Sequence, residues 1–165
     1  MLAIALAGCA NPINERTYTG YMTGGDEAAA KGDLDLAKMN YSRAVSMGHL
    51  TPQQKGNALF KYARILGNLC QHDEAESRLL EAHKLNEETN GRGSERTYGT
   101  AVEIAQLNYD IGRYTKAVAY FDQALPIAEK YQLNAKYPAT FADVYVDYAD
   151  ALRRTGYDEK AAGAF

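Results

Sequence analysis

Apolar side chains recur along the chain at helical spacing, in short stripes divided by polar turns. Leu59, Tyr62, Ala63 and Leu66 stand at i, i+3, i+4 and i+7; Tyr145, Tyr148, Ala149 and Leu152 repeat the pattern, and Ala101, Ile104 and Ala105 hold its first three positions. Each set predicts a helix with one apolar face. A second kind of stripe follows each turn. Gly32 leads to Ala37, Tyr41 and Ala44; Cys70 to Ala75, Leu79 and Ala82; Gly112 to Ala117, Phe121 and Ala124; Gly156 to Ala161 and Phe165. A residue at the turn, an alanine, a large apolar residue and a second alanine fit a helix that begins at a left-handed cap and approaches its neighbour closely. Start signals agree with this register: Thr51-Pro52 with Gln54 predicts a capping box, and Ser94 an N-cap. Asn90-Gly91 and Gly156 predict helix stops.

The key alanines Ala37, Ala75, Ala117 and Ala161 lie 38, 42 and 44 residues apart. This internal repeat of paired helices resembles the tetratricopeptide repeat (TPR), whose usual period is about 34 residues. The longer period is similar to the kinesin-light-chain-like variant, and Phe121 to Lys130 looks like its second-helix ending. The resemblance implies an all-α fold, an α-solenoid of antiparallel helix pairs, with repeats at 20–50, 51–92, 94–135 and, incomplete, 138–165. Gly24 and Gly25 are expected to interrupt the first helix of repeat 1, and Pro126 to bend a second helix near Asp122. The chain stops at Phe165 within a second helix, without a polar capping helix. The expectation is a fragment or an end covered by a partner, with the TPR part of a larger enzyme or sensor as one alternative.

The same resemblance selects a concave, ligand-binding face. Carried onto this register, its groove positions are Phe60, Arg64 and Asn68 in repeat 2, Val102, Gln106 and Tyr109 in repeat 3, and Val146, Asp150 and Arg153 in repeat 4. Aromatic, amide and charged groups together suit a protein or peptide ligand, with Phe60 and Tyr109 as anchors. Repeat 1 offers Thr19, Met22 and Asp26, so the lysine and asparagine clamp of chaperone-binding TPRs is not reproduced.

Composition narrows the function. Hydrophobic residues make up 46% and charged residues 24%, tyrosine (13) outnumbers phenylalanine (4), and the net charge is −3. That is a folding composition; abundant alanine and sparse β-branched residues favour helix, and the charge gives no general attraction for phosphate backbones, so nucleic acid is not an expected partner. His49, His72 and His83 lack the spacing of a zinc site and are expected at turns and on the surface. Cys70 is expected to be a buried, inert thiol. Asp143, Asp147 and Asp150 lie along one helix, either as a solvated face or as a clamp for a cation or basic peptide. No phosphate loop, nucleophile elbow or partnered carboxylate pair is visible. Neither catalysis, a cofactor, a bound metal nor a small-molecule substrate is expected.

The N-terminus adds a location. Residues 1–9 form a short apolar run, and Leu6, Ala7, Gly8 and Cys9 resemble the lipobox of bacterial lipoproteins, in which the cysteine is lipidated. The run lacks a basic stretch ahead of it and is far shorter than the roughly 20 residues of a membrane span. The lipobox resemblance implies a lipid anchor on Cys9, a tether over 10–19, and an outer-membrane position facing the periplasm, since Ala10 and Asn11 replace the aspartate expected for inner-membrane retention. A cytoplasmic TPR regulator is the alternative.

Overall fold

In a computed structural model, which describes residues 12–163, the capping signals and apolar stripes become nine α-helices with no strand among those residues. They are α1 (Pro12–Ala30), α2 (Leu34–Val45), α3 (Pro52–Asn68), α4 (His72–Asn90), α5 (Glu95–Asp110), α6 (Tyr114–Lys130), α7 (Leu133–Lys136), α8 (Pro138–Arg154) and α9 (Asp158–Ala162). Thr51 and Gln54 close the reciprocal capping box at the start of α3, and Ser94 accepts a hydrogen bond from the Thr97 amide at the start of α5. Cys9 and Phe165 lie outside the described residues.

Helices pair as α1/α2, α3/α4, α5/α6 and α8/α9, and each new first helix also packs on the pair before it. The fold is an α-solenoid. Its turns share one backbone device: Gly32, Cys70, Gly112 and Gly156 all have positive φ, between 58° and 82°. At each, the amide of the following residue reaches back to the carbonyl of Ala28, Leu66, Asn108 or Leu152, the hydrogen bond of a Schellman cap. Cys70 is therefore exposed, not buried as its register position predicted, because the left-handed cap turns its side chain out to solvent.

Beyond the turns, Ala37, Ala75, Ala117 and Ala161 are buried where helices cross, and Tyr41, Leu79 and Phe121 fill the space beside them. Position 161 follows position 117 at the longest interval because α7, entered through left-handed Gln132, is inserted before α8.

Repeat 1 departs from the sequence reading twice. Residues 12–19 are not a tether: they open α1, where Tyr18 is buried and its hydroxyl donates to the Gln54 carbonyl at 2.9 Å. Nor do Gly24 and Gly25 interrupt the helix. A Cβ at Gly25 would stand 2.5 Å from the Tyr41 ring, so glycine here allows α1 and α2 to touch. In repeat 3, α6 runs through Pro126 as one element.

The junctions between second helices differ in chemistry at equivalent positions. Lys38, after the first key alanine, donates to Gln71 at 2.7 Å. Glu76, after the second, accepts from Asn108 at 2.7 Å and Arg113 at 3.1 Å and pairs with Lys116 at 2.8 Å. Val118, after the third, is packed in the apolar cluster that includes Leu152. His83, expected at the surface, is instead buried: it shares a 2.8 Å hydrogen bond with Thr100 and meets the Tyr120 ring edge-on. Burial pushes its pKa below the usual histidine value.

Candidate peptide-binding groove

First helices α3, α5 and α8 stand side by side, and their shared face is where the functional side chains gather. Between them lies a cavity of about 310 Å³. Arg64 and Asn68 enter its wall from α3, Glu103, Gln106 and Asp110 from α5, His72 from the start of α4, and Asp147 from α8. Three of the nine residues predicted for the groove, Arg64, Asn68 and Gln106, therefore share one concavity.

The other six are distributed as packing dictates. Phe60 is half-buried against Ala63, Leu79 and Ile104, with the Arg64 guanidinium 6.0 Å from its ring centre. Val102 is not a groove residue: it is buried in the cluster around Phe121, because its position on α5 faces the next helix pair. Tyr109 is not a free anchor either. Its hydroxyl donates to Asp150 at 2.9 Å and its ring packs edge-on to Tyr114 at 5.7 Å. Asp150 also pairs with Arg154 and, at 3.9 Å, with Arg153. Val146 remains open, 53% exposed.

Carboxylates dominate the electrostatics of the groove. Glu103 faces Arg64 at 3.3 Å, yet burial outweighs that cation and raises its pKa. Asp110 is raised by desolvation against the opposing influence of His72. Asp147 is raised by burial and by the charge of Asp110, with Asp143 and Asp150 adding to the effect and a hydrogen bond from Gln106 opposing it. Asp150 behaves oppositely, held low by its hydrogen bonds from Arg154 and Tyr109. The register exposed Asp147 as one of three acids on α8. Glu103 and Asp110 escaped notice because only the approach of α8 to α5 brings their charges together. No group of histidine, cysteine, aspartate and glutamate among the described residues has the arrangement of a metal site. A larger, shallower depression on α1, lined by Glu15, Arg16, Thr19 and Thr23 among others, holds none of the predicted groove residues.

Residues 54–130 match the tetratricopeptide repeat family model. The fold is a TPR-type solenoid. Among solved structures, it is similar to BtubC (BKLC) from P. vanneervenii, with a TM-score of 0.83 and 18% identity over 92% of this chain and 61% of that one. It is also similar to a Podosopora anserina protein with nearly identical TPR-like repeats, described as a kinesin light chain: TM-score 0.76, 17% identity, 92% of this chain and 72% of that one. The Rap conjugation gene regulator of plasmid pLS20, solved in complex with a Phr peptide, covers 99% of this chain and 46% of its own at 16% identity and a TM-score of 0.67. The chain thus spans about three fifths of the length of the first of these structures. A comparison with curated proteins finds no match.

Proposed function

We propose that this protein is a non-catalytic interaction scaffold that holds a protein or peptide segment against the first helices of its repeats, and that a lipid on Cys9 anchors it to a bacterial envelope membrane. The observation that carries the binding reading is the cavity across α3, α5 and α8, where Arg64, Asn68 and Gln106 from successive repeats converge. Rigid helices present these groups, so a ligand lying across the array meets them in fixed order. The peptide-bound Rap regulator, of similar fold, supports a peptide as the kind of ligand such an array accommodates. The lipobox-like Leu6-Ala7-Gly8-Cys9 supports the anchor and, with Ala10 and Asn11, an outer-membrane position facing the periplasm. An adaptor or assembly role for other envelope proteins follows from the two together.

Capture from envelope extract tests the groove. Asn68→Trp with Val146→Trp fills the groove face at two exposed positions without changing charge and is expected to keep the thermal melt while losing captured partners; an unchanged set of partners removes the groove reading. Radioactive palmitate tests the anchor. Wild type is expected to take label and Cys9→Ser to lose it, and label that persists in the variant overturns lipidation at that residue.

A further inference from the structure

The proposed groove has a charge pattern that names its ligand more closely. Six carboxylates in the described residues are half-buried: Glu76, Glu81, Glu87, Glu103, Asp147 and Asp150. Five have a cation at ion-pair distance, from Lys116 and Arg113 for Glu76, Lys55 for Glu81, Arg92 for Glu87, Arg64 for Glu103, and Arg154 for Asp150. Asp147 has none, and the group that favours its charged form is the neutral amide of Gln106. It lines the same cavity as Asp110, whose charge it feels, and Asp110, an exposed residue, has no ion pair either. A half-buried carboxylate without a cation is costly, and a second one beside it adds repulsion. Arg64 is the single fixed cation lining the cavity, and it is engaged by Glu103. Val146, the residue before Asp147 on α8, is exposed and offers an apolar contact beside the cavity.

Resting on the groove reading above, we propose that the ligand is a cationic protein segment, with a lysine or arginine side chain entering between Asp110 and Asp147 and an adjacent apolar residue covering Val146. The incoming cation supplies the partner that the chain withholds from Asp147 and relieves the repulsion between the two carboxylates. Long basic side chains suit the site because their stems lie along the cavity wall while the charged head reaches the acids. The ligand gains in specificity as well as affinity, since an acidic segment meets like charge in the same place.

Fluorescence anisotropy with a labelled lysine–alanine repeat peptide, and its glutamate–alanine counterpart, tests the assignment on the full chain. The lysine peptide is expected to bind and the glutamate peptide not to. Asp110→Asn/Asp147→Asn should weaken lysine-peptide binding about tenfold, about 1.4 kcal/mol. Asp158→Asn/Glu159→Gln, on exposed α9, changes net charge equally and should leave binding within about twofold, on the scale expected for screened surface charge. Equal losses in the two variants, or equal binding of the two peptides, overturn the proposal. Envelope capture separates it from the reading on which it rests. Partners lost with Asn68→Trp/Val146→Trp but retained with Asp110→Asn/Asp147→Asn overturn the cationic ligand and leave the groove standing, whereas partners lost in neither variant remove both.

Discussion

Cys70 shows how one residue carries the cost of a shared backbone device. Its three counterparts in the repeat are glycines, and at φ 58° it alone among the four places a Cβ in the left-handed region. That conformation costs roughly 1–2 kcal/mol for a side-chain-bearing residue, while glycine loses more entropy on folding. Cys70→Gly is therefore expected to raise unfolding stability by roughly 0.5–1 kcal/mol in a urea titration, with no loss of packing because the thiol is exposed. The turn itself was legible from spacing, since position 70 aligns with three glycines. Exposure of the thiol was not, because spacing reports where a residue lies along the chain and not which way a left-handed cap directs it. Val102 and Tyr109 teach the same lesson at the groove: their register was readable, but the packing of α8 decided that one is core and the other is tied to Asp150.

At the scale of elements, α1 was the hardest to read. Its buried positions, Tyr18, Met22, Gly25 and Ala28, follow helical spacing, but two are small, and the stripe looks too weak to pack. Gly25 becomes a contact only because Tyr41 of α2 lies against it. The joint between α4 and α6 is more polar, and its centre is Glu76. Burial alone would raise the Glu76 pKa, but hydrogen bonds from Lys116 and Asn108 and the charges of Lys116 and Arg113 hold it below the usual value. A carboxylate held low adds stability above its unfolded pKa, near 4.3, and loses it as pH falls through the folded value. Glu76→Gln should thus cost about 1–2 kcal/mol at pH 7, and the difference from wild type should shrink by pH 3 in parallel thermal melts.

For the whole molecule, stability is distributed along a line: each pair rests only on its neighbours, and among the described residues the pairs α1/α2 and α8/α9 have a neighbouring pair on one side. Native-state hydrogen exchange is expected to find the slowest amides in α3 to α6, which have pairs on both sides, and the fastest in α1 and α9. Uniform protection from α1 to α9 would contradict that gradient. The groove also belongs to this scale, because α3, α5 and α8 form it jointly and none of them contains it.

Spacing within one repeat and local caps were enough to read the helical class, the pairing of helices and the left-handed turns at Gly32, Cys70, Gly112 and Gly156, but not those at His49 and Gln132, which no glycine or repeat position marks. Long-range packing decided that residues 12–19 belong to the array, that His83 is core, and that Asp110 and Asp147 line one cavity. These depend on distances between residues far apart in the chain, set by how closely consecutive pairs pack, and periodicity within a helix carries no record of that distance.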